Sequence, residues 1–227
     1  WSATARVAGT VAPDIDLDVS ARLPELSRIV PALPGPVAVD GTLQRRGDGP
    51  FDIGADLDGP LGGSGRIAGR FDPGASAFDV DFTLPSLAPL APGLGGPVSV
   101  EGRVAEGAGG WGVDLATRGP GAAATRVTGT VAADFGTVAL DATGTVPLGL
   151  ANPFLGGNEI FGTADLALSV QGPPGLSALS GRVSVDGARL ALPQLRQTLT
   201  GIAARIDLAG GAATLDLSAQ SPQGGTV

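Results

Sequence analysis

A chain of 227 residues that carries a formal charge of −8 and contains no lysine, histidine, cysteine, methionine or tyrosine excludes several functions before any motif is sought. An acidic surface whose cations are all arginine repels phosphate backbones, so no nucleic-acid partner is expected. Without histidine, cysteine or lysine the usual nucleophiles, general bases and zinc or copper ligands are missing, and neither catalysis nor a cofactor is expected.

The hydrophobic fraction is 43% but the aromatic fraction only 4%, with 38 glycines and 19 prolines along the chain. Apolar surface without large rings, and glycine without collagen's every-third spacing, suits turns and sharply coiled strands, so an all-β fold is expected. From 15 to 23, Ile15, Leu17, Val19, Ala21 and Leu23 alternate with Asp16, Asp18, Ser20 and Arg22, the period-two mark of a strand with one apolar face. Pro24 opens a segment in which Leu26, Ile29, Val30 and Leu33 fall at helical spacing, predicting a short helical turn with counterparts after Pro85, Pro147 and Pro193. Strands follow near 37–43 and at Phe51, Ile53, Ala55 and Leu57. A hairpin comes next, with one arm at 66–71, a turn at 72–75, and an arm whose Phe78, Val80, Phe82 and Leu84 face away from Asp79, Asp81 and Thr83.

The pattern continues through Val98, Val100 and Val104, a glycine loop at 107–110, then Trp111, Val113 and Leu115, and later Val138 and Leu140. Ala164, Leu166, Leu168 and Val170 precede a turn at 172–175, and strands at 181–193, with Leu190 and Leu192, at 202–208 and at Leu215 and Leu217 complete the set. About fifteen strands at ~4.8 Å per step make a sheet on the order of 70 Å long.

Beneath the alternation lies a repeat. Arg6-Val7-Ala8-Gly9-Thr10-Val11, Arg66-Ile67-Ala68-Gly69-Arg70-Phe71 and Arg126-Val127-Thr128-Gly129-Thr130-Val131 stand 60 residues apart, as do Phe51 and Trp111, and Gly59-Pro60 and Gly119-Pro120. The pairs Leu23-Pro24 and Leu84-Pro85, and the triplets Gly35-Pro36-Val37 and Gly96-Pro97-Val98, are 61 apart. Such regularity predicts a stacked array of about four strands per unit, with units at 1–65, 66–125, 126–179 and 180–227 in one continuous sheet. Trp1 in place of an initiator methionine reads as the start of a segment cut from a longer chain, and no run approaches the roughly 18 apolar residues of a spanning helix. Any membrane anchor is therefore expected outside these residues.

The remaining candidates for chemistry are carboxylates. Asp14, Asp16, Asp18 and Glu25 occupy positions 1, 3, 5 and 12 of a calcium loop, but Val19 stands where that loop turns on glycine, and Ile15 and Leu17 alternate as a strand requires. Asp52 with Asp56, and Asp79 with Asp81, imitate a glycosidase pair, yet their period-two placement reads as an outer solvated face. Gly63-Ser64-Gly65-Arg66 matches a dinucleotide loop only loosely, because a strand follows it rather than a helix. The arginines that open each repeat, Arg6, Arg66 and Arg126, read as solubilising edge charges.

A long sheet with one apolar face and few helices to cover it must fold over on itself, and two outcomes are open: the walls meet as a dry sandwich, or they stay apart around an apolar groove. In the second case the groove is lined by Ile15, Leu17, Val19, Leu23, Phe51, Ile53, Leu57, Phe78, Val80, Phe82, Val113, Leu115, Val138, Leu140, Leu166, Leu168, Val170, Leu190, Leu192, Leu215 and Leu217.

The segment from Gly181 to Leu192 with Pro193-Gln194-Leu195, then Gly201-Ile202-Ala203-Ala204-Arg205-Ile206, Leu215-Asp216-Leu217 and Gly224-Gly225, resembles the start of the carboxy-terminal module of the TamB family, relatives of the AsmA-like proteins. The Leu-Pro turns at Leu23 and Leu84, each followed by a Gly-Pro-Val strand, are similar to that family's upstream repeats. The resemblance implies a taco-shaped β-trough in the periplasm of a Gram-negative bacterium, anchored in the inner membrane, along which phospholipids move between the two membranes. It also implies, for the full-length protein, an Omp85-class outer-membrane barrel, TamA, as partner, and no catalytic residue. Two further architectures fit less well: a secreted β-solenoid adhesin or passenger domain, whose coils would be about 20 to 30 residues long, and a carboxylate-dependent carbohydrate-active β-helix.

Overall fold

The structure is a computed structural model and describes residues 3–28, 35–88 and 93–220. It is all-β. The strands are β1 (Thr4–Thr10), β2 (Ile15–Leu23), β3 (Val37–Arg45), β4 (Phe51–Asp58), β5 (Ser64–Phe71), β6 (Ala77–Leu84), β7 (Val98–Gly107), β8 (Gly110–Gly119), β9 (Ala123–Ala132), β10 (Val138–Pro147), β11 (Glu159–Phe161), β12 (Thr163–Gly172), β13 (Leu179–Leu192), β14 (Gln197–Ala209) and β15 (Ala212–Gln220). They form one open 15-stranded sheet in chain order, in which β11 alone leaves the path and pairs the far end of β13. Every pairing is antiparallel. A β-solenoid or β-helix stacks its coils through parallel strands, so neither alternative architecture is present.

The 60-residue period corresponds to four strands, since the three Arg-led segments lie in β1, β5 and β9. The hairpin expected at 66–84 is β5 and β6, and Ile15–Leu23 forms β2 along the whole alternating stretch. The turn expected after Pro24 is a 3-10 turn at Leu26–Arg28, and further 3-10 turns follow Pro147, at Leu148–Phe154, and begin at Pro193, as Pro193–Leu195. Ile29, Val30 and Leu33 lie outside the described residues. After Pro85 the described residues make a bend and no 3-10 turn, while Pro60–Gly62 and Pro120–Ala122 make turns not expected from spacing.

Glycine makes the steepest local coiling possible. Gly129, in β9, has φ +142°, and a β-carbon there would lie 2.0 Å from the Ala139 carbonyl oxygen of β10. Gly69, 60 residues earlier, would meet the Ala77 oxygen at 2.1 Å. Side chains are excluded at these crossings by the neighbouring backbone itself.

Of the two fates open to the apolar face, the dry sandwich does not occur among the described residues. Among the described residues the buried hydrophobics are Leu84, Ala164, Ala188, Ile202 and Ala219. The accessible surface is 13572 Å², whereas a globular protein of this mass would expose roughly 9,400 Å². Burial concentrates where β13, β14 and β15 meet, around Ala188, Ile202 and Ala219, with Leu148 of the 3-10 turn packed against them.

Candidate functional site

Tracing register from strand to strand shows how the two faces are composed. One row runs Val7, Val19, Gly41, Ala55, Ile67, Val80, Gly102, Leu115, Val127, Ala142, Leu168, Gly181, Leu208, Ala213, without a polar side chain over 14 strands. The neighbouring row on the same face holds Leu17, Leu43, Ile53, Phe78, Val104, Val113, Leu140, Val170 and Leu179. On its other side lie Ala21, Val39, Leu57, Phe82, Val100, Leu166, Val183, Ile206 and Leu215, interrupted by the facing hydroxyls of Thr117 and Thr125, which hydrogen-bond to each other. Paired residues share a face, so the alternation in each strand adds up to one apolar surface.

The residues expected to line a groove lie on this surface. Ile15, Leu17, Val19, Leu23, Phe51, Ile53, Leu57, Phe78, Val80, Phe82, Val113, Leu115, Val138, Leu140, Leu166, Leu168 and Val170 are half-buried. Leu215 and Leu217, in the last strand, are about 60% exposed, at 60% and 62%. Leu190 and Leu192 are even-numbered where Val183 and Val185 are odd, a mismatch of parity that a strict strand would put on opposite faces. A register shift between Val185 and Ala188, at Asp186-Gly187 with Gly187 at φ +67°, corrects it, and Leu190 packs against Ala188 beside Val185. An apolar cleft of about 210 Å³ lies at one corner, between Ala5, Ala21, Leu23, Val37 and Val39.

The opposite face is ionic. Arg66 pairs Asp56 at 3.6 Å, Arg70 pairs Asp52 at 3.3 Å, Arg103 pairs Asp79 at 3.6 Å, Arg126 pairs Asp114 at 2.6 Å and Arg182 pairs Asp207 at 2.7 Å, all well exposed. Exposed pairs of this kind add little stability, about 0–1 kcal/mol each, but they keep one side of the sheet wetted. A larger cleft, about 450 Å³, opens on this side among Arg6, Asp18, Asp40, Asp56 and Arg66. The carboxylates weighed for glycosidase chemistry, Asp52, Asp56 and Asp79, are thus partners of arginine.

Two of the calcium-loop candidates serve the backbone. Asp14 accepts from the Gly47 amide at 2.9 Å, and Glu25 accepts from Gly35 at 2.8 Å and Ser27 at 3.3 Å. Asp16 and Asp18 are exposed on the ionic face between half-buried neighbours.

Sequence reasoning missed two charges placed on the apolar side, at its margin and 61 residues apart. Arg45 lies opposite Ile15 with its guanidinium over the Phe51 ring at 4.9 Å, and its buried Nε has no partner. Glu106 lies opposite Trp111 and accepts from the amide of fully buried Ser76 at 3.3 Å. Hydrogen bonding from the Ser76 side chain, then from the Gly74 and Ser76 backbone, holds the Glu106 carboxyl below its ordinary range. The signal was available: each charge breaks its strand's apolar alternation just before a turn.

No family model, curated protein or solved structure matches this chain. Its fold and surfaces define it as an open antiparallel β-sheet protein with one apolar and one ionic face.

Proposed function

We propose that the apolar face is a conduit for phospholipid acyl chains, as the resemblance to the TamB family implies. One observation carries the reading: 14 strands present an unbroken apolar row that, among the described residues, no other layer covers. Leaving apolar area in water costs about 25 cal/mol per Å², so a surface of this extent calls for an apolar occupant. Acyl chains fit because they are flexible, lack hydrogen-bonding groups and need only a continuous track. In this reading the sheet curls lengthwise into a trough in the periplasm, with the acyl chains inside and headgroups toward the mouth. The full-length protein holds the inner membrane through an anchor elsewhere and meets a TamA-like Omp85 barrel at the outer membrane. The ionic face keeps the outside of the trough in water.

The test is extraction of the purified protein with organic solvent followed by mass spectrometry. Copurified phospholipid above the level of a detergent-matched control is the expected outcome. Protein that is folded and free of acyl chains after expression in a Gram-negative host overturns the reading.

A further inference from the structure

We infer that a cleft beside the β3–β4 turn is a phosphate site formed by Arg45, Arg46 and Arg70, and that it holds the headgroup of a lipid whose acyl chains lie on the apolar face; the lipid half of the inference rests on the track proposed above. The cleft is about 300 Å³, and its polar side chains are the three arginines, Gln44 and Asp52, from the end of β3, the start of β4 and the end of β5. Three arginines against one aspartate give this lining a net charge of +2 in a chain whose formal charge is −8. Asp52 is already taken by Arg70 at 3.3 Å. The carboxylates beside the cleft are engaged too, since Asp16 accepts from Gln44 Nε2 at 3.2 Å and Asp14 from the Gly47 amide at 2.9 Å. Asp48, on the same turn, does not line it. Among the described residues Arg45 and Arg46 have no ion-pair partner.

Arg45 carries the argument. Its buried Nε has no partner, and a partly desolvated guanidinium supported only by the Phe51 ring at 4.9 Å is costly until an anion completes it. Guanidinium groups grip phosphate through paired N–H donors, and one phosphate has oxygens enough for more than one arginine. The repeat shows that these charges are not a requirement of the sheet. In the second unit Glu106 and Gly107 stand 61 residues beyond Arg45 and Arg46, and Thr130 stands 60 beyond Arg70. Glu106 is satisfied within the fold by the Ser76 amide, whereas the partner of Arg45 has to come from outside. Position then says which phosphate. Phe51 belongs to the apolar face, and Leu43 and Ile53 stand opposite each other one step further in on that face. A phosphate at Arg45 therefore leaves the acyl chains attached to it within reach of the apolar rows.

The test is calorimetric titration of the 227-residue chain with monomeric dihexanoyl phosphatidylglycerol, with dihexanoylglycerol, which lacks the phosphate, and with inorganic phosphate. Expected is several-fold tighter binding of the phosphatidylglycerol than of the phosphate-free lipid. That preference should fall several-fold in Arg45→Gln and in Arg46→Gln and persist in Arg103→Gln, which alters an arginine paired with Asp79 elsewhere on the ionic face. Without ligand, Arg45→Gln should melt no lower than the parent, because the charge it removes is unpaired; a clearly lower value gives Arg45 a structural role and overturns the inference. Inorganic phosphate bound through Arg45 while neither lipid binds supports the phosphate site and removes the acyl track. Two lipids bound alike, with no change in the arginine variants, leave the track standing and overturn the site, as does a chain that binds neither phosphate ligand.

Discussion

Gly129→Ala is the sharpest test of how the sheet coils. The new β-carbon would lie 2.0 Å from the Ala139 oxygen and 2.9 Å from the Leu140 Cα, both backbone, where ordinary contact begins near 3.4 Å. Relief requires β9 and β10 to part by more than an ångström, which no hydrogen bond at that crossing tolerates. Loss of one or two such bonds costs about 1 kcal/mol each. Forcing a residue with a side chain into φ +142° adds about 1–3 kcal/mol. The total, about 2–5 kcal/mol, should lower the melting temperature by roughly 5–15 °C in a chain of this size. The matched control is Gly107→Ala, whose β-carbon meets nothing nearer than 3.9 Å and which should change little. Thermal denaturation by circular dichroism gives the first number, and hydrogen exchange over 123–147 should show the β9–β10 junction opening ahead of distant strands. If Gly129→Ala melts and exchanges like Gly107→Ala, the close crossing is wrong and so is the account of why these segments repeat glycine.

Three further outcomes are expected. Val80→Arg should remain folded, losing under about 1.5 kcal/mol in chemical denaturation, because on an uncovered face the arginine stem lies along its neighbours with its head in water; a loss of 3 kcal/mol or more would mean a closed interior. Millimolar calcium should leave the melting temperature unchanged, since Asp14 and Glu25 serve backbone amides, and a clear rise would restore the metal reading. The Glu106 carboxyl is held below its unfolded value, so its contribution is complete above the ordinary carboxylate range and is lost as pH falls through the folded value; stability measured against pH in that acidic window should fall less in Glu106→Gln than in the parent.

Much of the fold was legible because strand alternation is a local property. Ile15 to Leu23 needed only its own period to be placed, and the shared face of Val80, Ile67 and Gly102 follows once neighbours pair in order. The Gly-Pro landmarks also had a physical reason, visible only in three dimensions: a β-carbon at Gly35 would lie 3.1 Å from Pro60, and one at Gly96 would lie 3.2 Å from Pro120, so successive loops stack along one margin. What period could not give was the correction of parity in β13, where a bulge at Asp186-Gly187 decides on which face Leu190 falls. Nor could it place the short β11, which pairs β13 beyond the reach of β12 and so depends on a bend at Gly162. Arg45 and Glu106 were readable as breaks in alternation, but their neighbours Phe51 and Ser76 explain why such charges are tolerated there.

The most direct test of the apolar face as a lipid track is photocrosslinking from a benzophenone amino acid at Phe82, in cells, with lipid adducts read by mass spectrometry. Phe82 sits mid-sheet between Gly65 and Val100 on that face. The account predicts phospholipid adducts in the parent and their loss when Val80→Arg or Leu168→Arg is added, with folding retained in both. Folded variants that crosslink lipid as fully as the parent would contradict it.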